Sequence, residues 1–173
     1  MKKSKKMSEL LEEVRLWNTP AIGGYLLYRF TQGYVAGDSN GEAPIAIHHF
    51  IAIAILTSDK LKAPISNMRE NLQSYVRSFE ENRNSDILLG LQERIKEKFL
   101  YSWSSIDMAV ANGLLFWDFD EARLYANPIE KKPSYGHAPK GQLKKDGEKA
   151  EILGKWFSQH DITSISSYLK ILL

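Results

Sequence analysis

Ser104-Ser105-Ile106-Asp107-Met108-Ala109-Val110-Ala111-Asn112-Gly113 followed by Leu114-Leu115-Phe116-Trp117-Asp118-Phe119-Asp120-Glu121-Ala122-Arg123-Leu124-Tyr125 is the most legible stretch of this chain. Ser104 has the chemistry of a helix N-cap, and Asp107, three residues on, is placed to answer the open backbone donors. Trp103 before the cap and Met108 after it have the spacing of a hydrophobic staple. Gly113 stands where a helix ends in a left-handed residue. The alternating apolar residues on either side of Asp118–Glu121 read as strand, acidic turn, strand. Working back, Ile87, Leu88, Leu91, Ile95 and Phe99 repeat at helical spacing and predict a helix over Asp86–Tyr101. Helix, turn, helix, glycine and hairpin in that order predict a winged-helix element within a mainly α domain.

Further upstream, Thr19-Pro20 starts a helix, with Pro at the position whose amide has no intrahelical partner. Ile22, Tyr25, Leu26, Arg29 and Phe30 follow at spacings of three and four. Gly23, Gly24 and Gly33 each cost a helix about 1 kcal/mol relative to Ala, so this helix is read as a packing seam for another backbone. Gly37–Gly41 is read as a loop. Pro44–Leu56 is apolar at nearly every position and by length fits a buried strand or helix; its isoleucines favour strand, while frequent Ala and helical neighbours favour the buried helix taken here. Its His48 and His49 point to different faces and are read as buried, hydrogen-bonded or interface residues, not as a metal pair. Ser66–Phe79 is expected to be helical. Ala150, Leu153, Trp156 and Phe157, then Ile165, Tyr168, Leu169 and Leu172, predict two C-terminal helices parted by His160-Asp161.

The length of 173 residues fits one domain, with 43% hydrophobic and 25% charged residues, an ordinary globular composition. Residues 1–7 carry Lys2, Lys3, Lys5 and Lys6 and form a basic arm; residues 8–173 form the domain, opened by a short helix from Ser8 to Trp17. Residues 131–147, with Lys131, Lys132, Lys144 and Lys145, are read as a mobile basic loop. The absence of cysteine excludes disulfides, thiolate-ligated metals and thiol catalysis. The acidic residues from Ser8 onward stand where a signal sequence needs an apolar core, and no stretch is long enough to span a bilayer. The cytoplasm is the expected compartment.

No phosphate loop, dinucleotide fingerprint, zinc-protease motif or nucleophile elbow is present, so no catalytic, cofactor-binding or metal-ligating residue is assigned. Asp118 and Asp120 are read as a soluble turn; a metal-dependent nuclease using them with a histidine is a remote third reading. The predicted recognition helix holds an acid and no base, and the wing tip is acidic, which disfavours simple DNA reading through that element. The lysines of the arm and loop are the candidate DNA contacts, sequence-independent and salt-sensitive. Tyr25, Tyr28, Arg29 and Tyr34 are the candidate partner interface, because Tyr28 and Arg29 cannot both join the Ile22–Leu26–Phe30 face and Tyr and Arg are favoured interface anchors.

Three segments carry a family resemblance. They are Asn18-Thr19-Pro20-Ala21-Ile22-Gly23 leading into Tyr25–Phe30 and Gly33-Tyr34; Ser104-Ser105-Ile106 ahead of Ala109–Leu115; and Ala150-Glu151-Ile152-Leu153-Gly154-Lys155-Trp156-Phe157. Together they resemble the middle components of three-component ABC systems, a family that includes the small LmuC subunit of Lamassu anti-phage defence. The resemblance covers the chain from Trp17 onward, and its motifs are structural. It implies a non-enzymatic accessory subunit that bridges or regulates an SMC-like ATPase with a long coiled coil and an effector such as a nuclease. The alternative function, from another class, is a free-standing winged-helix DNA-binding regulator reading through Ser105, Met108 or Asn112.

Overall fold

The computed structural model describes residues 19–129 and 138–173. The arm, the Ser8–Trp17 helix, Lys131 and Lys132 lie outside the described residues.

The fold is mainly helical with one β-hairpin. Helix α1 (Pro20–Gly37) is the axis of the domain, flanked by α7 (Phe99–Ala111) on one side and α8 (Gly141–Phe157) on the other. The glycines make both contacts possible. A Cβ on Gly23 would lie 2.1 Å from Ser105 Oγ, and one on Gly24 would lie 3.0 Å from the Ser105 carbonyl oxygen. On the opposite side a Cβ on Gly33 would meet the Glu151 carbonyl oxygen at 2.0 Å, and one on Gly154 of α8 would meet that of Phe30 at 2.1 Å. The expected seam is therefore present, and it is double. The loop after α1 is organised by Asp38, whose Oδ2 accepts from the amides of Asn40 and Glu42 at 2.9 Å.

Helix α2 (Ala46–Leu56) is buried from His48 to Leu56, as its all-round apolar character requires. Its open C-terminal carbonyls are taken by Arg94, which donates to the Ala54 oxygen at 2.8 Å and the Thr57 oxygen at 2.6 Å. The short α3 (Asp59–Lys62) follows. The helix expected from Ser66 begins later, as α4 (Leu72–Glu81), because Asn71 and Ser74 close a reciprocal capping box there. Asn71→Ala should cost about 1 kcal/mol, a drop of roughly 2–4 °C in a thermal melt, while leaving helix content below the transition unchanged.

The single helix expected over Asp86–Tyr101 is three pieces. They are α5 (Ser85–Leu89), α6 (Leu91–Glu97) and the start of α7, with breaks at Gly90 and Lys98. Ser104 consequently lies inside α7 and caps nothing. The reason is local hydrogen bonding: the Ser102 and Ser105 hydroxyls donate back to the carbonyls of Lys98 and Tyr101, both at 2.8 Å. Ser105 is also the residue seated under Gly23, so this stretch is held helical by the seam.

The end of α7 matches expectation. Gly113 has φ +69°, and the Leu114 amide reaches back to the Ala109 carbonyl at 2.8 Å. Strands β1 (Leu115–Asp118) and β2 (Arg123–Ala126) then pair antiparallel, with Trp117 opposite Leu124. The hairpin does not stand free. The Leu124 amide donates to the Pro44 carbonyl at 3.1 Å and the Ala46 amide to the Ala122 carbonyl at 3.0 Å, which covers the β2 edge.

Two C-terminal helices, α8 and α9 (Ile162–Leu169), are present as expected, but Leu172, read into the second stripe, lies beyond α9 and is exposed; the Asp161 side chain accepts from the Ser164 amide at 2.7 Å. Helix α8 starts at Gly141, so the last part of the stretch read as a loop over 131–147 is helical. Lys144 and Lys145 sit exposed on it, and the Asp146 carboxylate beside them is buried against Lys62 at 2.8 Å.

Candidate docking surface

The interface expected on α1 is mostly spent inside the domain. Tyr28 is buried, its hydroxyl accepting from Gln32 at 2.9 Å. Tyr34 is buried against the rings of Phe30 and His48. Tyr25 is half-buried with its ring against Gly147, and Arg29 is half-buried in an ion pair with Glu151 of α8. Tyr28 and Arg29 do not share the Ile22–Leu26–Phe30 face, yet both find partners within the domain because α1 packs against both α7 and α8. A helix flanked by two others has more than one inward face.

The two histidines are likewise internal. His49 lies 2.9 Å from Thr31 Oγ1 and 3.3 Å from the Ile45 carbonyl oxygen. Burial lowers its pKa to about 3, with the neighbouring His48 adding to the effect. His48 is packed between the rings of Tyr34 and Phe157, with no hydrogen-bond partner on either ring nitrogen. Burial, and then the Arg123 charge, lower its pKa to about 4. The acidic turn serves the hairpin: Asp118 Oδ1 accepts from the Asp120 amide at 3.1 Å and the Glu121 amide at 3.3 Å. No group of three or more acidic, histidine or cysteine side chains is gathered as for a metal among the described residues.

An aromatic strip lies open on the surface instead. The break at Lys98 starts α7 so that Phe99 and Trp103, four residues apart, share a face over Phe50, at centroid distances of 5.5 and 5.2 Å. On the hairpin, Leu115 and Leu124 anchor one face in the core, and Trp117 continues that face outward. The Trp103 and Trp117 rings are 6.3 Å apart, and Trp117 stacks on Phe119 at 6.1 Å. Phe119 is 84% exposed, Leu100 is 77% exposed and Phe99 is half exposed. A run of bulky apolar side chains left in water marks a surface that another molecule covers. The sequence reading missed it by assigning Phe99 to the core stripe and Trp103 to a staple. The Phe99/Trp103 and Trp117/Phe119 spacings were visible, but that two separate elements join into one strip was not.

Among the described residues the chain is a mainly helical scaffold that carries an exposed strip of aromatic side chains. No helix among the described residues is long and apolar enough to cross a membrane. Neither a curated protein nor a solved structure matches the chain. The family model of the ABC-three component system Middle Component 3 matches residues 7–173. With the match running over nearly the whole length, the chain belongs to the Middle Component 3 family of ABC-three component systems.

Proposed function

We propose that this chain is a non-enzymatic accessory subunit that bridges, or regulates, the ABC ATPase and the effector of its system. The observation that carries the reading is the open aromatic strip on a member of a middle-component family. A subunit whose task is docking needs such a surface and needs no reactive constellation. In this reading the system is a cytoplasmic anti-phage complex of the Lamassu kind, with an SMC-like ATPase and a nuclease as effector. The test is co-expression of the tagged chain with the ATPase and effector components of its system. Both are expected to be recovered with the chain in salt-stable stoichiometry, and recovery of neither overturns the reading.

DNA contact is a second element of the proposal, supported by the exposure of Lys144 and Lys145 at the start of α8. Replacing both with Glu should weaken DNA binding equally on unrelated sequences. It should also reduce the slope of log K against log salt by about 0.9 for each phosphate no longer neutralised. An unchanged slope assigns these lysines to solubility. The regulator alternative is poorly served by α7, whose exposed residues include Asp107 and no base. A sequence-specific footprint lost on Asn112→Ala would favour it.

A further inference from the structure

The strip has an electrostatic surround that narrows what docks on it. At its hairpin end, Arg123 pairs with Glu42 at 2.8 Å and Glu121 at 3.0 Å, while Asp118 and Asp120 of the same turn form no ion pair among the described residues. The tip therefore keeps a negative excess. Asp107, also exposed, follows Trp103 by one helical turn. The nearest cation along α7, Lys98, is turned to the Tyr101 ring, 5.0 Å from its centroid. The centre of the surface is apolar: Phe99, Leu100, Trp103, Trp117 and Phe119. It offers rings and aliphatic groups, so a partner is recognised through apolar side chains at matching spacing. Successive centroids along Phe99, Trp103, Trp117 and Phe119 are 6.4, 6.3 and 6.1 Å apart, a run no longer than about three and a half turns of helix.

We propose that the strip receives an amphipathic helix from another component of the system, its apolar stripe seated on these rings and flanked by lysines or arginines that meet the acidic hairpin tip. This rests on the docking role proposed above and adds the chemistry of the partner segment. The apolar centre supplies affinity, and the acidic rim sets register and association rate.

The experiment uses the full chain with its co-expressed ATPase and effector. Phe119→Ser and Leu100→Ser, both at exposed positions, should each weaken recovery of one component at least about tenfold, whereas Met68→Ser, 94% exposed elsewhere, should not. Asp120→Lys should weaken the same interaction and flatten its salt dependence. A photocrosslinking residue at position 119 should label a peptide of that component with an apolar helical period and basic flanks. Labelling of an acidic or non-helical segment overturns the proposal. So does normal binding by both serine variants when wild type binds, and that outcome leaves the accessory role standing. A wild-type dimer that Phe119→Ser dissolves assigns the strip to a second copy, and overturns the proposal as well. Failure of wild type to recover either component removes the role and the inference together.

Discussion

Gly154→Ala is expected to destabilise the chain by roughly 3 kcal/mol or more, although a helix interior ordinarily favours Ala over Gly by about 1 kcal/mol. The added methyl would lie 2.1 Å from the Phe30 carbonyl oxygen and 2.7 Å from the Tyr34 amide nitrogen. Neither is the tip of a flexible side chain, so no rotamer change relieves the overlap, and α1 and α8 must separate along their shared seam. Gly33→Ala, facing the Glu151 carbonyl from the other helix, should behave alike. Gly90→Ala is the control. Its φ is −74°, and the nearest atom to a new Cβ is 3.5 Å away, so that variant should be neutral or stabilised by up to about 1 kcal/mol. Urea or thermal unfolding of the three variants reads the contrast. Equal, mild effects at all three would mean that the seam is looser than the backbone distances require.

The second large effect is on acid stability. His48 and His49 are held neutral in the folded chain, with pKa values lowered to about 4 and about 3, whereas both take up protons near pH 6.5 once unfolded. The unfolded state therefore binds more protons below pH 6.5. Stability from keeping these rings neutral is fully present above that pH and is lost as the pH falls toward 4 and then 3. Each ring contributes a slope of about 1.4 kcal/mol per pH unit in its window. Between pH 6.5 and 4.5 the pair should remove on the order of 5 kcal/mol, comparable to the whole stability of many domains. His48→Leu should halve this slope. It should also stabilise the chain at pH 7, because both nitrogens of the native ring are buried without partners. The measurement is the unfolding free energy of wild type and variant at half-unit steps of pH. Parallel curves would show that His48 takes no part in the acid transition.

The local architecture was legible wherever one element's own pattern settles it. The Thr19-Pro20 start, the glycine stop at Gly113, the hairpin and the two C-terminal helices follow from period, turn residues and caps, interactions that close within a few residues. The glycines of α1 even announced that a second backbone comes close, since helical glycine is costly without one.

What the sequence could not rank were choices between equally available local partners. Ser104 had the chemistry of a cap, but Ser102 and Ser105 bond backward into α7 and the break falls at Lys98; the Gly23–Ser105 contact, remote in sequence, favours the continuous helix. Tyr28 and Arg29 cannot both join the Ile22–Leu26–Phe30 face and read as partner contacts, but α7 and α8 pack on α1 from two sides and both residues are taken up within the domain. Lys144 and Lys145 read as loop residues because Gly141 and Gly147 read as turn markers, whereas Gly147 is helical and makes room for the Tyr25 ring. The aromatic strip joins α7 to the hairpin, two elements that meet only in the folded chain. Hydrophobic periodicity tells how many faces a segment wants to bury. Which faces find a neighbour, and which are left for a partner, depends on the surfaces brought opposite them, and only the tertiary structure decided that.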